Sequence, residues 1–391
     1  MYIEFESYGE CAMRNITLLL LILNAQTLFG QGEGLPFVVD NGTTRIKIGG
    51  YVQSVILSDF GGIITNPDFV VSTLNVPEKW DQQQRFAIDA TASRIHLDVT
   101  HKTTSIGDIN FFMETDFKGA SNVLRLRHAY ISFVGIIAGQ TWSFMYDANA
   151  TAPTVDTQRT NSRPFFRTPL VGYTLKKGER FSAGIAVEFP NAKITPTSNI
   201  ISVTQTVPDI PAFIQYKSPQ GHIRLSGVLR TINYGNLAQK KVMTKQGLGV
   251  QLSSSVNPIS MLTLYGQGIY GKGIARHIND LAALSLDLLP EYANPDNTDV
   301  QTMFGAAFGI RADLSKKVYL TSNISYAALQ KKEGYTSGSD YKYGSYFSAS
   351  FFWIIYQNLF FATDYLHGYR QNMNSDEGNS NRIQTMLRYY F

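Results

Sequence analysis

Cysteine is almost missing from this sequence, with one residue, Cys11, among 391. Disulfide cross-linking is thereby excluded, and Cys11 falls in a stretch expected to be removed, so thiol chemistry goes with it. Long apolar runs are missing as well. Beyond the N-terminus nothing approaches the roughly 20 apolar residues that a spanning helix needs, and the mean hydropathy is only -0.10, so a helical membrane protein is excluded. Charge is sparse: Asp, Glu, Lys and Arg make up 16%, below the roughly 25% usual for soluble domains. The net charge of +4 is too small to suggest a nucleic-acid partner. Catalytic signatures are wanting too. None of the six histidines sits in a recognisable motif, and a hydrolase would need Ser, His and an acid or amide within reach of one another. Gly266, Gly268 and Gly271 match a dinucleotide-binding spacing, but inside and at the end of a strand with no helix–strand unit after it. His96, Asp98 and His101 can be drawn as a metal cluster, yet a lumen-facing pair in a strand is the plainer account. No cofactor, metal or enzymatic activity is expected.

Aromatic residues and glycine are abundant, at 13% and 32 residues. With so few charges, this suits a chain that has one face in lipid and one in water. The N-terminus carries an address: Met13-Arg14, the apolar run Ile16 to Leu23, then a polar exit from Asn24 to Gly30. That is the layout of a secretory signal, with Met13 the expected start and cleavage expected near Gly30. The expected organisation is an extension and signal over 1–30, a short segment over 31–43, and one domain over 44–391.

From Arg45 onward the chain alternates with period two, the mark of strands. Val52 and Ile56 oppose Tyr51 and Gln53; Leu124, Leu126 and Tyr130 oppose Arg125 and Arg127; Ile223, Leu225 and Leu229 oppose Arg224 and Arg230; Leu320 and Ile324 oppose Thr321 and Asn323. Connections between these stretches alternate in length. Asp59 to Gln84, Phe144 to Pro169, Pro190 to Ile210, Asn233 to Lys245 and Gly271 to Val300 are long; Val134 to Ile136, Lys176 to Glu179 and Ser218 to Gly221 are short. Long loops on one rim and short turns on the other are the signature of outer-membrane barrels. Unpaired backbone cannot face lipid, so the sheet must close. The expected fold is all-β: a transmembrane antiparallel up-and-down β-barrel of about sixteen strands. Its last strand alternates to a terminal Phe391, which resembles the signal read by the outer-membrane barrel assembly machinery. Trp142, Trp353, Tyr389, Tyr390 and Phe391 are candidates for interfacial aromatic girdles.

Alternation also assigns side chains to the lumen. Arg45, Lys47, Arg94, Arg125, Arg127, Lys217, Arg224, Arg230, Lys317, Arg382 and Arg388 share the inward parity, against Asp98, Glu114, Asp116 and Glu188. A basic excess favours anions, and a low-dielectric wall focuses its field into the opening. The stretch 144–169 is long, patternless and broken by Pro153, Pro164 and Pro169; such loops are usually functional or disordered. Arg159, Arg163 and Arg167 recur every four residues in it, so one helical turn would group the first two, and Pro164 would interrupt it beyond.

The run from Ser93-Arg94-Ile95 through Glu114-Thr115-Asp116-Phe117, Leu124-Arg125-Leu126-Arg127-His128-Ala129-Tyr130 and Ala138-Gly139-Gln140-Thr141-Trp142-Ser143 resembles the DcaP-like porin family, and Gly271 to Arg276 is a second, weaker match. The resemblance implies a sixteen-stranded, trimeric outer-membrane channel that favours small anions such as dicarboxylates. No coiled-coil heptads precede the barrel here, as they do in some relatives. By strand count 144–169 is the third long loop, which in general porins folds inward and narrows the pore. The candidate constriction is therefore Arg94, Arg125, Arg127, Arg159, Arg163 and Arg167, with Glu114 and Asp116. For Arg94, Arg125 and Arg127 an ion-pair lattice with Glu114 and Asp116 is an equally good account, while for the loop arginines a solvated surface loop is the less favoured alternative. Expected partners are two further copies of the chain, outer-membrane lipid and small anionic solutes. A non-conducting structural or adhesive barrel is the alternative, favoured if the long loops plug the lumen.

Overall fold

The structure, a computed structural model, describes residues 37–391, so the expected signal sequence lies outside the described residues. Sixteen antiparallel strands form a closed barrel wall. They are β1 Thr44–Phe60, β2 in two pieces (Gln84–Asp89 and Arg94–Lys102), β3 Asp108–Asp116, β4 Arg125–Phe133, β5 Ile136–Trp142, β6 Arg167–Lys177, β7 Phe181–Glu188 and β8 Ile210–Ser218. The second half comprises β9 Gly221–Asn236, β10 Lys241–Ile259, β11 Leu262–Lys272, β12 Thr302–Asp313, β13 Val318–Leu329, β14 Tyr341–Tyr356, β15 Leu359–Asn372 and β16 Glu377–Tyr390. Both pieces of β2 pair with β1, which makes them one strand interrupted at 90–93. Closure comes from β16 on β1, in register from Tyr51 opposite Tyr390 to Phe60 opposite Asn381. Phe37–Asp40 pairs beside the start of β1, and Ile200–Ser202 beside the end of β9.

The wall is inside-out relative to a soluble protein. Val52, Ile56, Ile185, Ile214, Leu229, Leu248, Ile324 and Ile383 are exposed, while Gln53, Gln251, Ser253, Asn323, Ser348 and Gln384 are buried. Apolar side chains meet lipid and polar ones line the lumen, since a Lys or Arg on the lipid face near mid-membrane costs about 2–4 kcal/mol. The turn at 134–135 joins β4 to β5 in two residues, with Gly135 at φ 81 where a side chain is disfavoured.

Three expectations change. The chain between Asn233 and Lys245 is not a loop: β9 and β10 run past the others, paired to Asn236 opposite Lys241, and turn at 237–240. Second, β3 and β4 slip by one residue, from Glu114 opposite His128 to Thr115 opposite Leu126. This bulge leaves Arg127 extra, turns both Arg127 and His128 into the buried interior, and reverses the parity beyond. Tyr130, expected outward, therefore packs inside on Phe112 and His128. Third, Trp142 stacks on loop residues Tyr146 and Phe165, and Tyr390 on Tyr51 and Phe360, so neither belongs to a girdle. Trp353 and Tyr389 do face outward.

Candidate functional site

The segment 143–166 leaves β5 and turns into the lumen, where Met145, Ala152, Val155, Thr160, Asn161, Ser162 and Arg163 are almost wholly buried. A segment so poor in regular structure survives inside a barrel only if its backbone groups find partners, and the wall supplies them. Near its root, Asp147 lies 2.7 Å from His222 Nε2 and accepts from Ser253 Oγ at 2.6 Å. Arg224 donates to the Phe144 carbonyl at 2.5 Å and stacks over Phe213. Across the barrel, Asn323 accepts from Ala152 N–H at 3.2 Å, and Thr321 donates to the Pro153 carbonyl at 2.6 Å. Asp364 Oδ2 accepts the N–H groups of both Val155 and Asp156, at 2.7 and 3.1 Å. Ser325 accepts from Asn161 N–H at 3.2 Å. The loop thus spans the lumen from β5 to the β12–β15 wall. Gly305 permits the approach, because a Cβ there would lie 2.7 Å from Ser162.

Two other loops settle on the first. Phe69 of 61–83 donates its N–H to Asp156, and Asn279 and Asp280 of 273–301 donate theirs to the carbonyls of Arg163 and Asn161. Burial and the neighbouring Asp68 push the Asp156 carboxyl up to about 6. Burial would also raise Asp147, but the hydrogen bond and charge of His222, with Arg224, outweigh it and hold this carboxyl below its usual range.

The bulged strand pair carries the charged cluster. Arg125 grips Asp116 with two parallel hydrogen bonds, Nε at 2.9 and Nη2 at 2.6 Å, the bidentate geometry typical of Arg–carboxylate pairs. Arg127 bridges both carboxylates, Nε to Glu114 at 2.6 Å and Nη1 to Asp116 at 2.9 Å. Arg94 reaches Glu114 at 3.4 Å. So an ion-pair lattice exists, and it is unbalanced. Arg167, where the chain rejoins the wall, has Arg127, Arg94 and Arg125 in electrostatic reach. It stacks over Trp142 at 4.6 Å; Trp142 stacks on Phe165 at 4.9 Å; and Arg163 caps Phe165 at 3.9 Å. Arg163 Nη1 donates to the Thr151 and Tyr146 hydroxyls, at 3.3 and 3.4 Å, and Arg159 Nη1 meets the same Thr151 hydroxyl at 3.5 Å. Among the described residues, Arg94 Nε, Arg163 Nε and Arg167 Nη1 are buried donors without an acceptor.

The expected helical turn grouping Arg159 with Arg163 does not form. Arg159 has φ 57, its N–H bonded to Asp156 Oδ2 at 3.0 Å, and its side chain lies within electrostatic reach of Tyr265 and Tyr319. Of the inward-parity arginines, Arg230 and Arg382 serve the loops instead. Arg382 binds Asp59 and the carbonyls of Ile64, Asn66 and Pro67; Arg230 binds Asp209, Asp287 and the carbonyls of Gly273 and Asn191. Sequence reasoning missed Asp364 and Arg311, the latter stacked over Tyr319 at 3.9 Å. A charged residue within a strand was the available signal. His222 also lies 3.0 Å from Ser255 Oγ, so an Asp147–His222–Ser255 relay exists, and it sits where the loop root is pinned.

A sequence profile described as "Porin subfamily" matches residues 41–387. Among solved structures, the outer membrane channel DcaP of Acinetobacter baumannii superposes with a TM-score of 0.78 at 18% identity, covering 90% of this chain and 99% of that one. An anion-selective porin from Comamonas acidovorans gives 0.60 at 10% identity, with 89% and 100% covered. The trimer form of OmpT from Vibrio cholerae gives 0.57 at 10% identity, with 89% and 100% covered. At such identities these likenesses speak to the fold alone. No curated protein matches the chain in sequence.

Proposed function

The chain belongs to the porin subfamily, and from that premise we propose that its lumen is a passive diffusion path for small hydrophilic anions, dicarboxylates among them. As a porin it is a Gram-negative outer-membrane channel and not an enzyme. The finer reading rests on one observation: Arg94, Arg125, Arg127 and Arg167 face two carboxylates, Glu114 and Asp116, with Arg163 stacked nearby and, among the described residues, bound to no carboxylate. Fixed guanidinium groups attract anions and repel cations at a narrow point. Arg125 and Arg94 keep part of their side chains exposed, 38% and 20%, so a passing carboxylate can take charge-assisted hydrogen bonds from them. The trimer form of OmpT, and the anion selectivity of the Comamonas porin, are what this reading carries over to the present chain.

Reversal potentials across planar bilayers in a salt gradient test it. Anion preference, conductance in steps of three, and block by dicarboxylates are expected; cation preference overturns the anion claim. The alternative of a non-conducting barrel draws on the packing of 61–83, 143–166 and 273–301 against one another. Absence of any channel current from a folded barrel would favour it.

A further inference from the structure

The outer wall is not uniformly filled. On the lipid face of β6 to β10, near the short-turn rim, lies a groove of about 430 Å³ lined by Leu175, Phe181, Ala183, Ile214, Leu225 and Leu252. Register explains it. Across the wall, Leu175 lies opposite Ala183, Ala183 opposite Ile214, Ile214 opposite Leu225 and Leu225 opposite Leu252. One small side chain interrupts a row of large ones, and the surface dips there. One residue-pair nearer the rim, the rings of Phe181 and Tyr216 stack with centroids 4.9 Å apart and floor the groove's end. Lys177, itself part of the lining, stands opposite Phe181 in the register.

The rim at this point is cationic. The turn carries Lys177 and Arg180 against Glu179, all exposed, and Lys176 lies near Lys217 at the same rim. In barrels of this class short turns face the periplasm. An apolar groove running toward mid-membrane from a cationic rim is complementary to a molecule with an apolar tail and an anionic head. A lysine at that depth extends its ammonium into the headgroup layer while its stem stays on apolar surface.

We propose that this groove is a binding site for an anionic phospholipid of the periplasmic leaflet, one acyl chain over Ala183 and the phosphate held by Lys177 and Arg180. Native mass spectrometry of the intact detergent-solubilised protein tests it, titrated separately with phosphatidylglycerol and with phosphatidylcholine of identical chains. Wild-type protein should retain phosphatidylglycerol preferentially. Lys177→Glu with Arg180→Gln should lower that preference by roughly 5-fold or more, the effect of removing cations near a membrane surface. Ala183→Phe fills the dip and should reduce retention of both lipids, with channel conductance and subunit number unchanged. Equal retention of the two lipids by wild type, or an Ala183→Phe variant that binds as wild type does, overturns the proposal in favour of adventitious lipid only. A change in subunit number with Ala183→Phe overturns it in favour of an interface between copies of the chain.

Discussion

Arg382 and Arg163 both point into the same lumen, and both are almost wholly buried, but they answer to different surroundings. Arg382 is saturated, with Asp59 on two of its nitrogens and three carbonyls of loop 61–83 around it. Arg163 has two hydroxyls at long range and two aromatic faces. The first is a tie that holds a loop to the wall; the second keeps hydrogen-bonding capacity for something else. An inward arginine is therefore not by position alone a pore arginine, and on the proposed reading the acceptors around the guanidinium separate the two kinds. Arg230 stands with Arg382, and Arg167 with Arg163.

Removing a tie should do the most damage. Arg382→Ala takes the two-nitrogen partner from buried Asp59 and leaves Arg85, 3.9 Å away, facing it; breaking a buried pair in this way typically costs about 3–5 kcal/mol. Urea unfolding of the reconstituted barrel should show the midpoint falling accordingly, and protease should gain access to loop 61–83. If the variant is as stable as wild type and only its ion selectivity changes, the division between ties and pore arginines fails.

Arg163→Glu should show a different profile, a large change in selectivity alongside the cost of burying a carboxylate between rings. Two units of charge change, each worth about 1 kcal/mol at about 4 Å in water, so the anion-to-cation permeability ratio should fall on the order of 10-fold. Arg127→Glu should shift the ratio in the same direction while also breaking the lattice. Unchanged ratios in both variants would remove these residues from the conduction path.

The lattice can be attacked from its acidic side. Glu114→Gln with Asp116→Asn releases Arg94, Arg125 and Arg127 from their partners. If these arginines act on the solute, anion preference should rise on the order of 10-fold, since two unit charges again change. A barrel that becomes unstable with no change in selectivity would assign the cluster to structure alone.

How much of this was legible beforehand follows from what period two encodes. The sixteen-strand wall could be read because each strand repeats one face rule many times, and the inward third loop only through the likeness to general porins. The inward parity of Tyr130 could not, because a bulge adds one residue to β4 and reverses the rule at a point where the sequence shows no break. Arg94, Arg125, Arg127, Glu114 and Asp116 were placed together because they share parity on three consecutive strands. Arg159 and Arg163 do come together, both guanidinium groups on the Thr151 hydroxyl, but through an irregular loop path and not the helical turn that their spacing implied. The loop's conformation is set instead by Asp364, Asn323 and His222, at sequence distances of 75 to 209 residues.

The smallest effect tests the loop's own charge. Asp156 lies in the buried stretch of the loop, and its carboxyl is raised to about 6 by burial and by Asp68. Lys118 outweighs burial at Asp68 and holds that carboxyl low, so Asp156 is the one of the pair that titrates near neutrality. An acid whose folded pKa exceeds its unfolded value binds more protons when folded, so stability falls as pH rises from about 4 to about 6. Conduction follows the same proton. Below pH 6 the loop loses a negative charge, and the lumen becomes more attractive to anions. One charge at about 10 Å in water is worth about 0.4 kcal/mol, so the permeability ratio should rise about 2-fold as pH falls from 7 to 5. The difference between wild type and Asp156→Asn is the informative quantity, because it cancels every other group that titrates in the interval. That difference should be near zero at pH 5 and should open above pH 6, with the variant the more anion-selective of the two. A difference that stays flat across the interval would mean that the loop's buried carboxyl does not face the conduction path.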